Sequence, residues 1–256
     1  MDPTLLLKAH ERLQRCMADD RDGENPDDPS TVQSMPIILN IPKVNPPAKT
    51  ELLEAAAKAT VACCLDDRAG GDTAYAEALQ SWYGARIRKI ARRARNTAWD
   101  NVHDVPGVTV ESGTAKARAC VPTAVVDTHP LVSRLQIGGT DLPDDAPGPL
   151  RLDVPTVFVQ RDLGMTLGKA AAQVGHGAML LAAAMPPEWV LQWAERGFDL
   201  QVREISAEEF DKQCARADAV PVRDAGYTEV DPGSLTVVAI VQQINCDVRS
   251  YKQCGF

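Results

Sequence analysis

Aromatic residues are scarce in this chain, at 5% of 256 positions, so alanine and the aliphatic residues must build most of the core. No apolar run approaches the roughly eighteen residues that cross a bilayer, and no transmembrane helix is expected. The start, Met1 to Arg15, carries Asp2, Lys8 and Glu11 without an apolar segment, which fits neither a secretory signal nor a transit peptide. There are 7 cysteines, an odd number, and no C-x-x-C pair, which excludes the zinc and dithiol motifs built on that spacing. Reduced thiols in a cytosolic protein are the simplest reading. Positive charge is not in excess: 27 Lys and Arg face 35 Asp and Glu, a net charge of −8. This argues against a chain that coats nucleic acid indiscriminately, although it does not exclude a local basic patch. There is no Gly-x-Ser-x-Gly elbow, which argues against covalent serine hydrolysis. No internal repeat is evident.

What is present divides the chain at Asp144-Asp145-Ala146-Pro147-Gly148-Pro149, which reads as a linker. Residues 1–34 are expected to hold a short amphipathic helix, with Leu5, Leu6, Ala9 and Leu13 on one face, and an acidic linker. Residues 35–143 read as an α+β domain. It has a strand at Ile37 to Ile41, helices over about Ala48 to Cys64 and Thr73 to Trp82, and strands at Val108 to Val110, Lys116 to Val121 and Leu131 to Ile137. Its densest charge lies at Arg86, Arg88, Lys89, Arg92, Arg93 and Arg95. On a helix, Arg88, Arg92 and Arg95 form one stripe flanked by Lys89 and Arg93, fit to neutralise RNA phosphates. Trp82, Tyr83 and Trp99 beside it are candidates to stack on unpaired bases. A solvated helix paired with the chain's own acids is the plainer alternative.

Residues 152–242 show strands interleaved with helices, the pattern of a layered α/β domain. Strands are expected at Val154 to Gln160, Leu200 to Ile205, Ala219 to Val222 and Leu235 to Val241. A helix is expected from Gly168 to Ala184, stopped by Pro186-Pro187, and another after the capping box Ser206-Ala207-Glu208-Glu209. Residues 243–256 read as a tail.

Two blocks place ionisable side chains just past strands. In the first, Arg161 to His176, the spacing Gly164 to Gly168-Lys169 fails as a Walker loop, because it is one residue short and Ala170 stands where a hydroxyl should hold magnesium. Lys169, Gln173 and His176 share one helix face. A lysine in the first helical turn opposes the macrodipole and suits an anionic phosphate or a developing oxyanion. In the second block, Asp224-Ala225-Gly226 is by composition a turn, with Gly226 supplying a positive φ. If both strands end at one sheet edge, Lys169, Asp224 and Thr228 meet. A carboxylate to orient water, a hydroxyl to position it and an ammonium for the oxyanion are a kit for ester hydrolysis without a covalent intermediate.

The two blocks resemble those of the archaeal-type (type 2) peptidyl-tRNA hydrolases. The family's first block reads Asp-Leu-x-Met-Gly-Lys-Gly-Lys, then Ala-Ala-Gln and a histidine three residues on. Asp162-Leu163, Met165, Gly168-Lys169, Ala171-Ala172-Gln173 and His176 match it. Its second block is matched by Asp224-Ala225-Gly226, Thr228 and Gly233-Ser234. Thr166 and Leu167 depart from it, standing where the family has a glycine and its first loop lysine. The resemblance implies a mixed four-stranded sheet with helices on both faces, a three-layer α/β/α domain that is often a homodimer, preceded here by a separate N-terminal α+β domain. It implies hydrolysis of the ester joining a peptide to the 3′ end of tRNA, with no metal or organic cofactor. Lys169, Asp224 and Thr228 are carried over as catalytic. Gln173 and His176, with Arg88, Arg92 and Arg93, are the candidates for substrate or tRNA contact. The alternative is a catalytically inactive relative serving as an RNA-binding or regulatory module.

Overall fold

The computed structural model describes residues 1–18, 23–25, 27–226 and 229–241. In chain order the N-terminal half contains α1 (Pro3–Ala18), β1 (Gln33–Asn40), α2 (Lys49–Cys64), α3 (Asp67–Gly70), α4 (Ala74–Tyr83), β2 (Arg88–Ala94), α5 (Thr97–Asn101), β3 (Gly107–Ser112), β4 (Ala115–Cys120), β5 (Thr123–Ala124) and α6 (Pro130–Ser133). The C-terminal half contains β6 (Thr156–Gln160), α7 (Leu167–Ala184), α8 (Pro187–Glu195), β7 (Gln201–Ile205), α9 (Ala207–Cys214), β8 (Val220–Arg223) and β9 (Leu235–Ile240).

Each half forms a mixed sheet. The C-terminal order is β7-β6-β9-β8, with β6 and β7 parallel and the other pairs antiparallel. The N-terminal order is β2-β1-β4-β3, with β1 and β2 parallel and the other pairs antiparallel; β5 adds to β1. The same path is therefore traced twice in a chain whose sequence shows no repeat.

The sheets are covered as the alternation of their strands requires. Phe158, Val238 and Ile240 face outward onto Phe210 of α9. Ile38, Ala94 and Cys120 face outward onto Trp99 of α5. The inward faces share one cluster that runs from Ile37 and Leu39 through α2 and α7 to Val157 and Val237. Small side chains let these two helices approach closely: α2 contributes Ala55, Ala56, Ala57, Ala59 and Ala62, all buried, and a Cβ on Gly175 of α7 would lie 2.6 Å from Thr60 Oγ1.

The acidic segment after the N-terminal sheet is tied down. The Asp145 carboxylate accepts from the Thr50 backbone N–H and hydroxyl at the start of α2, and Lys49 Nζ pairs with Asp144 at 2.9 Å. The basic segment is not a helix. Arg88 to Ala94 form β2, drawn into the sheet by the parallel ladder with β1. Residues 131–137 are not a strand, since Pro130 opens the short helix α6 and only Gln136 bridges to Arg93. Trp82, Tyr83 and Trp99 are buried and cannot stack on bases. The expected tail lies outside the described residues. Among the described residues, no helix is long and apolar enough to cross a membrane.

Candidate active site

Thr166 starts α7. Its hydroxyl accepts from the Lys169 N–H at 3.2 Å, a cap of the kind that contributes about 1 kcal/mol. The Glu229 carboxylate in turn accepts from the Thr166 N–H (2.9 Å) and hydroxyl (2.8 Å), which draws the loop after β8 against the helix. Leu167, where the resemblance expects a lysine, is 4% exposed and packs into the shared core. The side chain at that position has become structural.

The loop after β8 is shaped by Asp224 and Gly226. The Asp224 N–H donates to the Ser234 carbonyl at 2.9 Å, and its carbonyl accepts from the Gly233 N–H at 2.7 Å. Gly226 has φ +77°, and a Cβ there would run into Pro232, so only glycine fits the turn. Asp224 Oδ1 accepts from the Gly226 N–H at 2.8 Å. The turn reading and the site reading of this residue are therefore both met, one by each oxygen. Oδ2 accepts from Lys169 Nζ at 2.5 Å and from Gln173 Nε2 at 2.6 Å.

The ion pair is sheltered, with the Lys169 and Asp224 side chains 12% and 9% exposed. Partial removal from water strengthens the attraction between the two charges but makes each costly to leave alone. Gln173 is fixed from behind, since its Oε1 accepts from the buried Thr236 hydroxyl at 2.7 Å. A chain thus runs from strand β9 through Thr236 and Gln173 to the Asp224 carboxylate. Both ends of the Gln173 amide are thus engaged inside the protein. His176 lies further along α7 and is half-buried. Thr228 lies outside the described residues.

The expected tRNA-binding arginines lie on β2, which packs against the start of α7, and their side chains are engaged within the chain. Arg88 pairs with Glu24. Arg92 donates to the carbonyls of Ser133 and Leu135, and burial lowers its pKa from the usual value. Arg93 binds the Gly139 carbonyl and the Gln136 side chain. All three hold neighbouring segments of the chain. Sequence reasoning missed Thr236, a strand threonine with no local signal, and Glu229, an acid immediately after the second motif. Among the described residues no cluster of His, Cys, Asp or Glu could hold a metal.

A lysine on the first turn of a helix pairs with an aspartate on the loop beside a mixed four-stranded sheet, which makes this half an α/β protein with a sheltered ion pair at the edge of its sheet. Residues 154–252 match the family described as Peptidyl-tRNA hydrolase PTH2. The peptidyl-tRNA hydrolase of Methanocaldococcus jannaschii is 38% identical over 95 residues, 33% of this chain and 81% of that protein. That of Thermococcus onnurineus is 36% identical over 93 residues, covering 33% and 79%. A probable peptidyl-tRNA hydrolase 2 of Schizosaccharomyces pombe is 38% identical over 97 residues, covering 33% and 45%. The chain belongs to the peptidyl-tRNA hydrolase PTH2 family.

Proposed function

We propose that this protein hydrolyses the ester between a peptide and the 3′ end of tRNA, using Lys169, Asp224 and Thr228. The observation that carries this reading is the shared Asp224 carboxylate, which joins the two sequence blocks at one point. Gly226 and Gln173 hold the carboxylate in place, so Lys169 can swing its ammonium toward a substrate while the carboxylate keeps its position. Asp224 orients a water and, with the Thr228 hydroxyl, directs it at the ester carbonyl carbon. Lys169 stabilises the negative charge that develops on the carbonyl oxygen. Asp224 takes the proton that the water loses and returns it to the ribose oxygen as the tetrahedral species collapses, so the tRNA leaves with a free hydroxyl and the peptide as a carboxylic acid. His176 is proposed to contact the tRNA end. Arg88, Arg92 and Arg93 on β2 are proposed as further tRNA contacts, alongside their bonds to Glu24 and the 133–139 segment.

We place this activity in residues 152–242 and in the cytoplasm, where the buried thiols Cys63, Cys64 and Cys120 stay reduced. The test is release of tRNA from a peptidyl-tRNA by the purified chain beside Lys169→Ala and Asp224→Asn. Turnover by the unsubstituted chain and its loss in both variants is expected. An inert unsubstituted chain would sink the enzymatic reading and favour an inactive tRNA-binding relative. Unchanged turnover in both variants would sink the site.

A further inference from the structure

The strand registers of the two halves superimpose residue by residue up to a bulge at the end of β8. Ile37, Ile38 and Leu39 of β1 face Ala119, Arg118 and Ala117 of β4. Val157, Phe158 and Val159 of β6 face Ala239, Val238 and Val237 of β9. A single constant shift carries the first set onto the second. It also carries Ile38 and Cys120 of one outer cluster onto Phe158 and Ile240 of the other. On the hairpin side, Val108 and Val110 pair with Ala119 and Ala117 as Val220 and Val222 pair with Ala239 and Val237. Two residues beyond Val110 and Val222 stand Ser112 and Asp224: β3 keeps its register to Ser112, whereas β8 slips by one at Val222/Arg223 and ends there, so Asp224 lies just past that bulge and Ser112 is the nearest residue to its position.

The helices agree. Asp224 is gripped by Lys169 and Gln173, four residues apart on α7. Ser112 is gripped by Glu54 and Lys58, four residues apart on α2: its hydroxyl donates to Glu54 Oε2 at 3.0 Å and accepts from Lys58 Nζ at 3.3 Å. Glu54 therefore corresponds to Lys169, and Lys58 to Gln173. The next small residue on that correspondence is Thr60 for Gly175, and these two touch each other across the helix pair. A residue in contact with its own counterpart marks a two-fold axis. The remaining contacts are reciprocal, as such an axis requires. The start of α7 meets β2, where a Cβ on Gly168 would lie 3.6 Å from the Ala91 methyl group. The first half of α2 meets β7, where Glu54 Oε1 accepts from the Val202 N–H at 3.1 Å. Ala91 pairs with Ile37 and Val202 with Val157, so they too are counterparts.

The chemistry has diverged. An ammonium, an amide and a carboxylate in the C-terminal half are a carboxylate, an ammonium and a hydroxyl in the N-terminal half. Those groups are turned onto the other half: Lys58 Nζ pairs with Asp199 at 2.8 Å, and Glu54 lies 3.8 Å from Arg203. The loop that carries Asp224 and Glu229 is replaced by the turn Gly113-Thr114, whose Thr114 N–H and hydroxyl are held by Glu51.

We infer that the N-terminal half is a second copy of the same unit, which has exchanged the reactive set for a clamp and serves as the built-in partner of the α7 face. The chain then works as an internally paired monomer with one hydrolytic site. Sedimentation equilibrium of the full chain across the micromolar range tests the pairing without reference to activity. A single 27.6 kDa species is expected, and a doubled mass throughout would overturn the inference. Ser112→Ala should keep peptidyl-tRNA turnover within about two-fold of the unsubstituted chain, whereas a folded Ser112→Ala protein as inactive as Asp224→Asn would mean that the N-terminal set reacts. Lys58→Met should lower the urea midpoint of the full chain; an unchanged midpoint would overturn the clamp. The mass and the midpoint stand even if the chain hydrolyses no peptidyl-tRNA, so failure of the pairing and failure of the proposed activity are distinguishable.

Discussion

The two halves of this molecule share a strand path and differ in what they place at its open edge. In the C-terminal half the hairpin strands β8 and β9 are joined by a long loop, and the loop brings Asp224 to Lys169 and Gln173. In the N-terminal half the corresponding strands are joined by a tight turn, and the corresponding position is Ser112, buried against Glu54 and Lys58. The scaffold is thus indifferent to the chemistry it carries. The proposed site occupies one loop and one helical turn, as expected where a fold hosts a site without dictating it.

Substitutions separate the halves by size of effect. Asp224→Asn should reduce turnover by about 10²- to 10⁴-fold, the range for loss of a positioned proton-handling group, while Ser112→Ala leaves it nearly untouched. Equal losses would erase the distinction between the halves. At the axis, Gly175→Val would drive a branched side chain into Thr60 and should cost about 1–3 kcal/mol by urea denaturation. Adding Thr60→Ala should restore part of that. A tolerated Gly175→Val would mean that α2 and α7 are not in close contact. Thr166→Ala removes the cap of α7 and should cost about 1 kcal/mol. Turnover falling much further than stability would place Thr166 in the site itself.

The smallest effect concerns α1, which has no counterpart in the second unit. His10 is 1% exposed and its Nε2 lies 2.8 Å from the Ala182 carbonyl of α7. Burial lowers its pKa below the ordinary 6.5, and the bond to the carbonyl only partly opposes this. The unfolded chain therefore binds a proton that the folded chain resists. The contribution of His10 is complete above about pH 6.5 and is lost as pH falls below it toward the folded value. The fall in urea midpoint between pH 7 and pH 5 should be smaller in His10→Gln than in the unsubstituted chain. Equal falls would clear His10 of the effect.

The chain order of the C-terminal elements was legible because periodicity, capping signals and proline stops agree there: Ser206 does accept from the Glu209 N–H, and α7 ends before Pro186-Pro187. The meeting of Lys169 and Asp224 was legible from two motifs past two strands. The basic stretch was misread because Arg88 to Ala94 carry no strong period, and pairing with β1 decided their conformation. The capping roles of Asp144 and Asp145 were hidden because an acidic, proline-rich segment looks solvated until its partners on α2 are known.

By itself the sequence determined the local matters: where helices start and stop, and which loop bears the candidate groups. These depend on neighbours a few residues apart, which the sequence records directly. Only the tertiary structure decided that Thr236 supports Gln173, that Leu167 belongs to the core, and that the two halves are one fold twice. Those facts are contacts between residues distant in the chain. A repeat defined by strand register survives the replacement of nearly every side chain, because backbone hydrogen bonds hold the ladder whatever the residues project from it.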